Sequence, residues 1–136
     1  MGKTYMFRVK PNEELLTAIK YYCEKNQIRS AVITHIIGSF SKVTLGFLKT
    51  LPGKYITKEF KGPLEVVCCQ GTIATMVNSS ELVMHIHGML SDESKAIGGH
   101  INEATVFSTA EVFLQELDFP LKRKADAYTG LKEISQ

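Results

Sequence analysis

An α+β fold, with an antiparallel β-sheet and one main amphipathic helix packed on it, is what this 136-residue sequence predicts. Three observations carry that expectation. Apolar residues recur at helical spacing only once, early in the chain, in Leu15, Leu16, Ile19, Tyr22 and Cys23. The later segments are rich in β-branched and aromatic residues. Gly, Pro, Asn and Ser clusters separate those segments at hairpin intervals. One helix followed by a run of strands is the α+β pattern.

Thr4 to Val9 alternates as a short strand, and Pro11 ends it. Asn12 is the expected helix N-cap, with Glu13 and Glu14 in a first turn whose dipole favours acid. The helix is expected over residues 12–25, closed by Asn26. Strands follow over 30–37, 43–48 and 55–60. Gly38-Ser39, Leu51-Pro52-Gly53-Lys54 and Gly62-Pro63 read as breaks. Residues 64–77 form a long strand with Gly71 as a bulge, and Asn78-Ser79-Ser80 is a turn. A strand over 82–90 leads into a polar loop, 91–99, and then into a stretch of strand formers from His100 to Leu117. No second domain, repeat or low-complexity segment is visible, so residues 1–136 are expected to form a single domain.

Composition excludes some function classes. Hydrophobic residues make up 44% and charged residues 22%, an ordinary globular balance. The net charge of +2 is too mild for a nucleic-acid footprint. The one basic run, Lys122-Arg123-Lys124, reads as a solvated face. No apolar run approaches the roughly 20 residues that span a membrane. The opening residues carry no secretory signal. Cys23, Cys68 and Cys69 are an odd set, and adjacent strand residues point to opposite faces. Reduced thiols in a cytoplasmic protein is the expectation.

One cluster stands out. On the strand over 82–90, alternation places Val83, His85, His87 and Met89 on one face. His100 follows a Gly98-Gly99 pair and opens the next strand-like segment. If the two segments pair, three imidazoles converge. That donor set suits zinc with a fourth position open. The bland alternative is a set of surface-paired histidines beside a glycine turn. A cupin barrel also begins on His-X-His, but it places a Glu soon after and a second His later. Here Ser91 and Asp92 stand in the first place, and no His follows His100. His35 lies on a different strand and reads as a core or pairing residue.

These residues resemble a known family. Leu82-Val-Met-His-Ile-His, Leu90-Ser-Asp-Glu, Ile97-Gly-Gly-His-Ile and Ala110-Glu-Val are similar to the PPC (plants and prokaryotes conserved) domain. So are Arg8, Glu13-Glu14-Leu15, Ile28-Arg-Ser-Ala-Val-Ile, Ile37-Gly-Ser-Phe-Ser, Pro63-Leu-Glu-Val-Val, Gly71-Thr-Ile and Thr129-Gly130-Leu131. The resemblance implies a PPC-like antiparallel sheet, a homotrimer, and a metal, usually zinc, on His85, His87 and His100. It also implies DNA binding. In the plant proteins an Arg-Gly-Arg-Pro hook enters the minor groove, and this chain has no such core. Leu64-Glu65 stands where the plant domain has a Phe-Glu pair associated with partner binding.

Two functions follow as expectations. One is an oligomeric binding module that holds a metal or small ligand at the histidines and binds partners or DNA. The other is a zinc-dependent hydrolase or lyase acting on a small molecule, with the metal lowering the pKa of a water to about 7. Such an enzyme needs a base, and Glu65, Glu103 and Glu111 are candidates whose bland reading is surface carboxylate. No catalytic residue is assigned from the sequence.

Overall fold

The computed structural model describes residues 2–135. Its elements are β1 (Thr4–Val9), α1 (Leu15–Lys25), β2 (Ala31–Thr50), β3 (Lys54–Met76), β4 (Leu82–Ser91), β5 (Ala96–Glu116), β6 (Lys122–Ala125) and β7 (Lys132–Ile134). The fold is sheet-dominated, with 66% strand and 8% helix, and this corrects the α+β expectation. The reason lies in the strands. Gly38-Ser39 falls inside the 20-residue β2, and Gly62-Pro63 falls inside the 23-residue β3. Glycines and prolines expected to end strands bend them instead, and paired neighbours on both sides carry the ladder through.

Four long strands form a closed circuit. β2 pairs with β3, β3 with β4, β4 with β5, and β5 with β2, all antiparallel. Closure leaves each of these strands paired on both sides over part of its length, which protects edges that would otherwise seek partners. β1 adds to the outside of β5, and β6 runs parallel to the end of β3 before pairing with β7. The core is one cluster that includes Phe40, Ile33, Leu45, Ile73, Ile86, Leu90, Ile101 and Leu114 from the circuit, joined by Leu15, Ile19 and Cys23 of the helix.

The helix starts later than expected. Asn12 has a positive φ of 70°, and the N-cap is Glu14, whose carboxylate accepts from Leu16 N and Thr17 N. Glu14 Oε2 also accepts from Ala104 N at 3.0 Å, so one carboxylate caps the helix and ties it to β5. Asn26 closes the helix as expected. The expected loop over 91–99 shrinks to four residues, because β5 already begins at Ala96. Asp92 Oδ1 accepts from Ser94 N, Ser94 Oγ and Lys95 N, and this holds the tight turn.

Candidate metal centre

Alternation along β4 is as the sequence predicts. Leu82, Ile86, Gly88 and Leu90 are buried, while His85 is half-buried and His87 is exposed on the other face. The short turn after Ser91 then sets the register. His87 lies directly opposite His100, Gly88 opposite Gly99 and Met89 opposite Gly98. His100 also faces Gly46 of β2, so it sits where β5 passes from one neighbour to the other.

The Gly98-Gly99 pair is therefore not a reversing turn but part of the ladder. Its glycines are there for close approach. A Cβ at Gly99 would stand 3.0 Å from Phe47 Cε1 and 3.2 Å from the Gly46 carbonyl oxygen. Gly71 is likewise in regular register rather than a bulge, and a Cβ there would meet the His85 carbonyl oxygen at 2.3 Å. Small residues let β3 and β5 press against the histidine-bearing segment.

The result is a convergent triad. One ligating nitrogen from each of His85, His87 and His100 lies within 4.8 Å of the others. His85 Nε2 and His87 Nε2 are 3.0 Å apart, and the ring centroids of His100 stand 5.2 Å from His85 and 5.3 Å from His87. Burial, with the two neighbouring imidazoles, pushes His100 down to about 4. Burial, His87 and the Arg123 guanidinium lower His85 as well. Two of the three rings are thus held neutral, the state in which an imidazole donates a lone pair. His100 Nδ1 is buried without a hydrogen-bond partner.

Beside the triad lies a cavity of about 460 Å³, lined by residues that include Tyr55, Met84, His85, His100, Arg123 and Glu133. No motif in the sequence marks Arg123 or Glu133 as a site residue. Arg123 belongs to the basic run expected to be a solvated face, yet it is only 5% exposed. β6 pairs with the end of β3, which brings the Arg123 guanidinium to 3.5 Å from His85 Nδ1 on β4. Its Nη1 donates to the Lys132 carbonyl at 2.7 Å and its Nη2 to Thr72 Oγ1 at 2.9 Å. Lys122 Nζ donates to Thr75 Oγ1, which leaves Lys124 as the exposed member of the run. No solvated basic face forms there. The signal available in the sequence was a strand-length alternation, Lys122 to Ala125, too short to read.

The three carboxylates considered as bases do not reach the site. Glu65 pairs opposite Ser39 and Ser91, Glu103 opposite Thr44, and Glu111 opposite Arg8 and Ile37, and none lines the cavity. His35 is a pairing residue rather than a core one. It is exposed and stacks on Phe113 at 4.3 Å. Cys68 is exposed and Cys69 buried, as alternation requires, and both are free thiols, like Cys23. No helix among the described residues is long and apolar enough to cross a membrane.

Comparison with known proteins places these features in a family. The model of the Plants and Prokaryotes Conserved (PCC) domain matches residues 1–118. No curated protein matches the chain. A metal-containing protein from Archaeoglobus fulgidus is 28% identical, with a TM-score of 0.89 over 99% of this chain and 94% of its own. A plant- and prokaryote-conserved (PPC) protein from Pyrococcus horikoshii is 30% identical, with a TM-score of 0.87 over 99% and 92%. A Bacteroides thetaiotaomicron protein whose name provisionally assigns DNA binding is 22% identical, with a TM-score of 0.90 over 99% and 93%, and shares the fold alone. With the family model covering most of the sequence and the fold matched end to end, the chain belongs to the Plants and Prokaryotes Conserved domain family.

Proposed function

We propose that this protein is an oligomeric binding module that holds a zinc ion on His85, His87 and His100 and presents it to a small ligand. The observation that carries the reading is the triad itself, three imidazole nitrogens within 4.8 Å of one another. Ligands about 2.0–2.1 Å from a tetrahedral zinc stand roughly 3.4 Å apart. His85 Nε2 and His87 Nε2 are at 3.0 Å, close to that spacing, and every separation in the triad is within 4.8 Å. The donor chemistry fits as well. The unpartnered buried nitrogen of His100 carries a desolvation cost that coordination offsets. A metal-containing protein of the same fold at 28% identity supports the same reading.

Zinc held there supplies Lewis acidity at a fourth coordination position. The chain's own residues do the rest. His85 and His100 line the cavity wall, and Tyr55, Met84 and Leu131 give that wall an apolar character. Metal analysis of purified protein tests the proposal. One zinc per chain in the wild type, lost in His85→Ala, is expected, and a metal-free wild type after growth with zinc overturns it.

The family resemblance brings a homotrimer with it. Exposed apolar side chains on the long strands, Ile37, Val67, Met89 and Phe107, offer surface for such contacts. Light scattering on the eluting peak of a sizing column is the check, and a monomer sinks the assembly. A zinc-dependent hydrolase or lyase is the second reading. What favours it is one carboxylate on the cavity wall, Glu133. Turnover that vanishes in Glu133→Gln while zinc is retained would establish it. DNA binding finds no counterpart in the basic run, whose arginine is buried.

A further inference from the structure

Arg123 is a buried cation with unfinished hydrogen bonding. Its Nε is shielded from solvent and has no partner, although Nη1 and Nη2 bind Lys132 and Thr72. Both of those acceptors are neutral. A buried guanidinium is expensive unless paired with an anion, and its planar fork matches a carboxylate. Burial lowers its proton affinity and Glu133 only partly opposes this, since no carboxylate among the described residues is hydrogen-bonded to it.

The position of this cation points to a ligand. Arg123 lines the cavity of about 460 Å³ together with His85 and His100, and its Nη2 stands 3.5 Å from His85 Nδ1. Lys132 adds a second positive group to the wall, against the single negative group of Glu133. The rest of the wall is largely apolar, and a few placed polar groups in an apolar cleft are the usual form of a small-molecule site.

We propose that this cavity binds a small carboxylate with a short apolar body, its carboxylate held by Arg123 and its remainder directed toward the three histidines. The last part rests on the metal reading, whereas the Arg123 contact stands without it. Arg123, Leu131 and Lys132 all lie beyond residue 118, outside the span that the family model matches. In this reading the ligand's carboxylate is met by the C-terminal β6–β7 segment, and the metal by β4 and β5.

The test uses the full chain, with zinc and after chelation, titrated with isovalerate, its neutral amide and inorganic phosphate. Calorimetry and thermal shift are the readouts. Isovalerate is expected to bind and to raise the melting temperature, while the amide does neither. Arg123→Gln should weaken isovalerate by at least about tenfold, the loss typical of a charge-assisted pair. Because Arg123 is buried, a second variant, Leu131→Trp, fills the cavity and leaves the guanidinium in place. It should abolish binding with zinc content unchanged. Equal binding of acid and amide, binding of phosphate alone, or full affinity in Leu131→Trp overturns the proposal. Zinc uptake without isovalerate binding also overturns it and leaves the metal reading standing. Arg123-dependent isovalerate binding by a protein that takes up no zinc supports the Arg123 contact and overturns the metal reading instead.

Discussion

His87 and His100 are directly opposed across the β4–β5 ladder, and His85 stands one alternation further along the same face. Three side chains from two strands thus share one point without any loop to position them. A site built on paired strands is set by register, and a one-residue slip would send the His85–His87 pair to the buried face.

The first prediction follows from that arrangement. His100→Ala should lower zinc affinity by about a hundredfold or more, since two imidazoles cannot replace three, as a competition titration with a chromogenic chelator will report. Zinc should also raise the melting temperature of the wild type and leave that of His100→Ala nearly unchanged, because only a state that binds the ion is stabilised by it. Similar zinc shifts in both proteins would refute the third ligand.

Acid should destabilise the metal-stripped protein through this triad. His100 is held at about 4 in the fold against an ordinary 6.5, and His85 is lowered in the same direction. Between those values the unfolded chain takes up a proton that the folded chain refuses. Stability is therefore full above about pH 6.5 and falls as the pH drops toward 4. With solvent screening of half-buried rings, the His100 contribution is on the order of 1 kcal/mol. Urea midpoints at pH 7.5 and pH 5 should fall further for the wild type than for His100→Asn, and parallel falls would count against it.

Gly71→Ala should be worse than Gly46→Ala. A Cβ at Gly71 meets the His85 carbonyl oxygen at 2.3 Å, which is backbone and cannot step aside, whereas at Gly46 the first neighbour is the Asn102 side chain at 3.1 Å. The cost at Gly71 should exceed about 2 kcal/mol, against less than about 1 kcal/mol at Gly46. Gly71→Ala should weaken zinc binding too, because the displaced strand is the one that carries His85. Chemical denaturation with a parallel metal assay decides this.

Glu14→Ala should cost about 1–2 kcal/mol. It removes the helix N-cap and strands the buried-side Ala104 N–H that Glu14 satisfies. Glu14→Gln keeps an acceptor oxygen and should recover part of the loss. Hydrogen exchange at Ala104 reads the second contact separately from the first, and unchanged protection in Glu14→Ala would disprove it.

Much of the site could be read from residues 82–100 alone. Period-two alternation fixed which face His85 and His87 share, and the compact turn at Asp92 did the rest. The sheet was harder. Gly38, Gly62 and Gly98 look like punctuation, yet each lies within a strand, because the ladders that flank them outweigh a local preference to turn. The length of β2, β3 and β5 is a property of the closed circuit and has no local marker. Asn12 and Glu14 compete for the cap, and Glu14 prevails because it also finds Ala104, a partner 90 residues away that no local pattern reveals. Arg123 was invisible for a similar reason. Burial of a cation depends on which strand lies beneath it, and the ladder to β3 spans some 47 residues of chain.

The order of the chain keeps the two halves of the site apart. The three histidines are all translated by residue 100, whereas Arg123 and the hairpin that carries it come after. The proposed metal contacts and the proposed acid contact therefore occupy separate stretches of the sequence, so a substitution in one leaves the residues of the other unaltered.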